Sequence, residues 1–405
     1  MSIFKDEREM QKWIENELDD QEGFINLIYN IQSIDDYIPK DSVSKKIYDS
    51  YQHCIPALSL MEVISKDQNI SSSKGDILKP DIVAYSIEKE SLVLIELKNI
   101  SGPTREAGTE LSAYAGELKG YLSHLSDGDI INVIISPVWP ALLKHYVFNN
   151  IVWQNKNMIC FEPAVINGEK VLMPLDIDVL LQAEIPASFS EEHLRGYHIC
   201  LYDYTQYHEP RPQTKLHDQL SVIKSSISQM VAEGEKANNG FVILTEEIIG
   251  FGLSPYMITF VNAAPFSSLE RYFHSDEIKT YEDLPFIGKQ FYDIYTYYEP
   301  LGLGSSTSKI FNSGRRYLSK ICKPEIESLN SWKILKNAAN NARAQAFYFD
   351  SWGVFKEKAM ELLFEKYNNS EYDIDLNSIE LGYEVISELV DDEYNFIYLP
   401  SIRPI

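Results

Sequence analysis

The most regular hydrophobic pattern of this chain lies in its first half and predicts a strand, a second strand, a helix and a third strand. Residues 91–99 contain the apolar run Leu-Val-Leu-Ile, which is partly β-branched and too short for a typical helix, so they predict a buried strand. Residues 82–85 predict the preceding strand, and the polar residues 88–91 predict the turn between the two. Residues 103–125 place apolar side chains three or four positions apart, as a helix does, and residues 129–136 predict another buried strand.

Three polar residues interrupt this apolar hairpin: Asp81, Glu96 and Lys98. Because alternate residues of a strand share a face, Glu96 and Lys98 point the same way while Leu97 points to the opposite face. The hairpin brings Asp81 near Glu96. Two carboxylates are a usual protein contribution to a Mg²⁺ site, and a lysine can neutralise charge on a phosphoryl group. The pattern predicts a metal-dependent phosphodiesterase, and the alternative is a buried ion pair in a domain without activity.

Pro80-Asp81, Glu96-Leu97-Lys98 and the helix and strand after them resemble the PD-(D/E)xK nuclease superfamily, which includes restriction endonucleases, repair nucleases and phage-defence effectors. The resemblance implies an α/β fold, in which a restriction-endonuclease-like mixed sheet is flanked by helices. It implies that Asp81, Glu96 and the main-chain carbonyl of Leu97 bind Mg²⁺ or Mn²⁺. It also implies that DNA is the favoured substrate and that the protein takes part in antiviral defence.

The helix predicted after the hairpin carries a second polar stripe, which consists of Glu110, Tyr114, Glu117 and Tyr121. Some branches of the superfamily have a Gln-x-x-x-Tyr pair on this helix, and Glu110 and Tyr114 have the same spacing here. They are auxiliary site candidates, and ordinary helix amphipathicity explains the stripe equally well. An upstream helix with a further acidic residue is also common in the superfamily. The candidates for that residue are Glu15, Glu17 and Glu62, and the sequence does not select among them.

At 405 residues, with 44% hydrophobic and 12% aromatic residues, the chain is long enough for two domains with substantial cores. We predict a nuclease-like domain over residues 1–186 and an α+β accessory domain for recognition, regulation or assembly over residues 187–405. In the second domain, the pattern predicts strands at 197–204, 240–245 and 255–261 and helices at 216–233 and 329–345.

The formal net charge of −24 is unusual for a free nucleic-acid-binding protein, because phosphate neutralisation by a basic surface supplies most non-specific affinity. One stretch with several basic residues is a candidate nucleic-acid footprint. It includes Lys309, Arg315, Arg316 and Lys320. Ordinary solvated helix surface explains these residues equally well. The acidity has three interpretations: weak affinity for DNA alone, a narrow local basic groove, or a protein partner or homo-oligomer that delivers the substrate. Acidity also favours solubility, which explains it without any partner.

Four widely spaced cysteines predict neither a zinc ribbon nor a disulfide framework, and the charged N-terminus is unlike a signal peptide. The cysteine pattern favours the reducing cytoplasm, and the longest uncharged run of the sequence is a poor membrane helix. The sequence as a whole predicts a Mg²⁺- or Mn²⁺-dependent nuclease, with DNA as the favoured substrate. Two alternatives stay open: a catalytically silent nuclease-like scaffold that binds a partner protein, and a nuclease directed at RNA.

Overall fold

A computed structural model of the chain divides into two compact units, Met1–Ile185 and Pro186–Ile405. The structure describes residues 3–20, 22–40, 42–73, 75–98, 105–181, 191, 194–203, 216–236, 239–247, 254–264, 280–284, 286–298, 304–341, 344–369 and 375–390. Both units combine helices with strands, so the predicted α/β class is confirmed at that level. Within the described residues, no helix is both long enough and apolar enough to cross a membrane.

The N-terminal unit is built on a mixed sheet whose described strands follow the order β1-β2-β3-β4-β5-β6. Its strands are β1 (Met61–Lys66), β2 (Ile82–Ser86), β3 (Ser91–Leu97), β4 (Ile130–Ile135), β5 (Met158–Ile166) and β6 (Glu169–Pro174), and its helices are α1 (Glu7–Glu17), α2 (Gly23–Leu27), α3 (Gln32–Asp35), α4 (Ser42–Ala57), α5 (Arg105–Tyr121), α6 (Ala141–Phe148) and α7 (Ile177–Leu180). The pairs β3/β4 and β4/β5 are parallel, and the remaining neighbours are antiparallel.

Strands β3 and β4 lie in the middle of this sheet, and every residue in both of them is buried. Since successive side chains of a strand point to opposite faces, burial of all of them means that both faces of the sheet are covered. The predicted hairpin is confirmed, because β2 pairs with β3 in antiparallel register. The predicted helix and the strand after it are confirmed as α5 and β4. A parallel β3/β4 pair requires a crossover between the strands, and α5 supplies it.

The C-terminal unit contains an antiparallel sheet whose described strands follow the order β10-β7-β9-β8-β11. Its elements are β7 (Leu194–Asp203), α8 (Leu220–Gly234), β8 (Gly240–Glu247), β9 (Tyr256–Ala263), α9 (Phe286–Tyr298), α10 (Ser305–Leu318), β10 (Cys322–Ser331), α11 (Trp332–Asn341), β11 (Ala344–Trp352), α12 (Val354–Asn368) and α13 (Ile379–Leu389). One face of the sheet packs on α8 and α10, and the other packs on α11, α12 and α13.

Three predicted strands of this unit are confirmed as β7, β8 and β9, and α8 confirms the predicted helix that precedes β8. The helix predicted over residues 329–345 is wrong at both ends. Strand β10 continues to Ser331, and β11 begins at Ala344, which leaves a shorter helix between them. The last part of β10 is a strand because it pairs with β7, for example Leu329 with Tyr197, and local sequence does not encode that partner.

Candidate functional site

Asp81 stands immediately before β2, and the hairpin register places it beside the end of β3. Ile82 pairs with Ile95, so the residue before Ile82 lies next to the residues after Ile95. The backbone N–H of Leu97 donates a hydrogen bond to Asp81 Oδ2 at 2.8 Å. The backbone of β3 thereby holds the side chain that precedes β2, and the geometry brings Asp81 and Glu96 together as predicted.

Glu96 and Lys98 share a face, and both side chains are almost completely buried. The exposed fractions are 3% for Glu96 and 6% for Lys98. Lys98 Nζ lies 2.6 Å from Glu96 Oε1 and 2.8 Å from Glu110 Oε2 on α5. One ammonium group therefore bridges two carboxylates. The auxiliary candidate Glu110 contacts the predicted catalytic lysine directly.

The polar stripe of α5 anchors the segment that leads to Asp81. Three of its residues bond to the backbone of this segment: Tyr114 donates to the carbonyl of Lys79 at 2.9 Å, Tyr121 donates to the carbonyl of Ile70 at 3.0 Å, and Glu117 accepts from the N–H of Ser72 at 2.6 Å. The contact of Tyr114 is two residues from Asp81. The stripe thus has a positioning role that helix amphipathicity alone does not explain.

Burial and the negative charge of neighbouring carboxylates raise the pKa values of Asp81 and Glu96. Burial is the largest influence on Asp81 and raises its pKa to about 6, against the stabilising N–H of Leu97. Burial, followed by the charge of Asp81, raises the pKa of Glu96 to about 9. Burial lowers the pKa of Lys98, but the carboxylates of Glu96 and Glu110 outweigh that effect and raise it. The lysine stays charged, and the two carboxyl groups compete for a compensating cation or a proton.

The residues present fit a divalent cation bound mainly by oxygen. Glu96 Oε2 is buried and has no hydrogen-bond partner, which is a costly state for a carboxylate oxygen. In the part of the chain that the structure describes, no three His, Cys, Asp or Glu side chains form a metal-binding group. Mg²⁺ does not require such a cage, because it is usually held by one or two carboxylates, with water and substrate phosphate completing its shell. Asp81, Glu96 and the carbonyl of Leu97 are the predicted protein ligands.

A further acidic residue, Glu7 in the first turn of α1, acts on this site and was not selected from the sequence. Its negative charge contributes to the raised pKa of Asp81. The sequence indicates on which side of α1 this residue lies. Glu7 stands three residues before Met10 and seven before Ile14, the buried residues of α1, and this spacing places all three on one face of the helix. Of the candidates named from the sequence, Glu15 accepts a hydrogen bond from Gln11. Glu62 lies on strand β1 and not on a helix.

The four predicted nucleic-acid-binding residues lie in the C-terminal unit, on α10 and the turn after it. All four are exposed: Lys309, Arg315, Arg316 and Lys320. The guanidinium of Arg315 lies over the ring of Phe311, and the ammonium of Lys320 lies over the ring of Tyr317. Helix α10 contains no acidic residue, so its exposed side is locally basic in a chain of net charge −24.

The chain matches no family model, no curated protein and no solved structure. The chemical interpretation of the site therefore depends on its own geometry: two buried carboxyl groups with raised pKa values, a charged lysine between acidic partners, and an unpartnered carboxylate oxygen.

Proposed function

We propose that the N-terminal unit is a divalent-metal-dependent nuclease of the PD-(D/E)xK type, with DNA as the favoured substrate. The observation that carries this proposal is the convergence of Asp81, Glu96 and Lys98 at the end of a buried central strand, with Glu96 Oε2 unpartnered. Buried groups with strongly perturbed pKa values are characteristic of functional sites. The order of elements supports the proposal further, because an antiparallel hairpin, a crossover helix and a parallel strand follow one another as the resemblance implies.

In the proposed reaction, Asp81, Glu96 and the Leu97 carbonyl would hold Mg²⁺ or Mn²⁺. When bound, the cation supplies charge neutralisation at the phosphoryl oxygens and lowers the pKa of water. The N–H of Leu97 orients the Asp81 carboxylate, so this ligand is in place before the substrate arrives. Lys98 stabilises the additional negative charge of the pentavalent phosphorus, and Glu110 holds its ammonium group in position. Each polar side chain of the site thus has a separate task.

The proposed nuclease depends on recruitment of its substrate. A net charge of −24 repels phosphate, and the exposed side of α10 is one locally basic surface within the described residues. We infer that α10 contributes to nucleic-acid binding, and that a protein partner or self-association raises the local concentration of substrate. A role in antiviral defence is part of the same proposal and derives from the resemblance of the Pro80-Asp81 and Glu96-Leu97-Lys98 motifs.

One observation favours a second candidate function, a catalytically silent scaffold. Lys98 is already paired with Glu96 and Glu110, and such a network holds β3 and α5 together without any metal. A scaffold would keep the fold and lack cleavage.

The two candidates are distinguished by incubating the purified chain with plasmid DNA, single-stranded DNA and structured RNA, each with Mg²⁺, Mn²⁺ or EDTA. Cleavage that requires the metal and is lost in Asp81→Asn supports the nuclease. The matched control is Asp127→Asn, which makes the same change at an exposed carboxylate that pairs with Lys119 of α5. Cleavage of RNA alone would assign the enzyme to RNA, and cleavage of none of the substrates would support the scaffold.

A further inference from the structure

Helix α9 of the C-terminal unit exposes an unusually large apolar surface. Its most exposed apolar side chains, with their exposed fractions, are Phe286 (78%), Ile287 (57%), Phe291 (37%), Ile294 (41%), Tyr297 (80%) and Tyr298 (72%). At about 150–250 Å² for a full aromatic side chain, these six residues present about 700 Å² of surface. The largest apolar patch of a typical monomer is about 300–600 Å², and larger patches mark interaction sites.

Four of these residues form a straight seam along the helix: Ile287, Phe291, Ile294 and Tyr298. Their spacing of four, three and four residues is that of the a and d positions of a heptad, which lie on one side of an α-helix. The seam is therefore shaped to receive another helix.

The residues just before α9 contact part of its other side. Tyr281 donates a hydrogen bond to Asp293 at 3.1 Å and stacks edge-on against Tyr292, and Lys289 donates to Glu282 at 2.7 Å. Both charged side chains of the helix are thus held on the side away from the seam. Among the residues whose side chains are described, the seam is flanked by the uncharged Gly288, Gln290 and Tyr297.

We propose that α9 is a self-association surface, at which the seam of one copy packs against the seam of a second copy. A partner chosen by charge would require charged residues beside the seam, as at the e and g positions of coiled coils, and this helix has none there. An uncharged, self-complementary stripe allows two chains of net charge −24 to meet without opposing carboxylates. The four seam residues and the flanking Tyr297 present about 550 Å² of exposed surface. This is just below the roughly 600–800 Å² per partner that specific interfaces bury, as expected for a weak interface. The helix has only 13 residues, so we expect a dissociation constant on the order of micromolar.

Sedimentation velocity of the full chain over a range from about 1 to 200 µM, chosen to bracket a micromolar dissociation constant, tests this proposal. The expected result is a mass that rises from 46.5 kDa toward twice that value. Ile294→Glu should weaken association at least tenfold, so that the rise in mass begins only at a concentration at least ten times higher. The matched control Thr296→Glu places the same charge on the opposite side of α9 and should leave association unchanged. Ile294 is partly exposed, so its replacement does not open the core, and an unchanged circular dichroism spectrum checks the fold.

Salt dependence separates this interface from an electrostatic one. Because the two copies repel each other, association through the seam should strengthen as NaCl is raised from low to moderate concentration. A monomer at every concentration would overturn the proposal, and so would a dimer that Ile294→Glu leaves intact. A monomer that co-sediments with phosphatidylcholine vesicles through the seam would assign it to a membrane surface and would also overturn the proposal.

Discussion

Replacing Glu96 with glutamine should remove most of the pH dependence of stability in the N-terminal unit when no divalent cation is present. Burial and the charge of Asp81 raise the Glu96 pKa to about 9, well above its ordinary value of 4.5. A carboxyl group with a raised pKa in the folded state contributes stability at low pH, and that contribution is lost as the pH rises through the folded pKa. Glutamine retains an oxygen that can accept the hydrogen bond from Lys98, and its amide group does not titrate.

The magnitude follows from linkage. Between the unfolded and folded pKa values, each pH unit costs about 1.4 kcal/mol per proton, so Glu96 lowers the free energy of unfolding by about 4 kcal/mol between pH 5 and pH 8. We expect Glu96→Gln to gain about that much relative to the wild type over this range. The assay is urea unfolding in EDTA at several pH values, with pulsed hydrogen exchange at residues 91–98 to report the N-terminal unit alone.

The matched control is Glu169→Gln, which removes an exposed carboxylate from the same sheet and should leave the pH dependence unchanged. The reasoning is refuted if wild type and Glu96→Gln lose stability in parallel from pH 5 to pH 8. That result would mean that Lys98 neutralises Glu96 completely and that the site has no need of a further cation.

Three further predictions concern the metal, the positioning of Asp81 and the basic helix. Titration calorimetry in buffers of different ionisation enthalpy should show release of about one proton for each Mn²⁺ bound near pH 7. The reason is that the raised pKa of Glu96 leaves this carboxyl group protonated until the metal binds. Mn²⁺ binding without proton release would contradict this prediction. Tyr114→Phe removes the hydrogen bond to the carbonyl of Lys79. It should lower the free energy of unfolding in urea by about 1–2 kcal/mol and weaken Mn²⁺ binding in calorimetry. Unchanged metal affinity would show that Tyr114 does not position Asp81. The double variant Arg315→Gln, Arg316→Gln should bind a labelled DNA duplex more weakly in fluorescence anisotropy. The slope of the logarithm of the association constant against the logarithm of the salt concentration should become shallower by about 0.9 for each lost phosphate contact. An unchanged slope would show that α10 does not contact DNA.

The local part of the site could be predicted because strand geometry follows from short-range pattern. The apolar run before Glu96 indicates a buried strand, and the two-residue period of a strand then places Glu96 and Lys98 on one face. The position of Asp81 followed from the hairpin. These inferences require only neighbouring residues.

The remainder of the site depends on tertiary packing. Glu110 reaches Lys98 because of how α5 crosses β3, and Glu7 influences Asp81 because of where α1 docks. Neither docking angle is encoded in local sequence. The same limitation explains the incorrect helix at residues 329–345, whose first residues form a strand because β7 is available as a partner.

The proposed chemistry is tested most directly by the rate of Mg²⁺-dependent phosphodiester cleavage, with Lys98→Gln and Asp81→Asn measured beside the wild type. The wild type should cleave DNA, and each variant should be slower by about a hundredfold or more, as expected when a group that stabilises transition-state charge or holds the metal is removed. EDTA should abolish the reaction. Equal rates for wild type and both variants, or cleavage that continues in EDTA, would contradict the assignment of Asp81, Glu96 and Lys98 as a metal-dependent nuclease site.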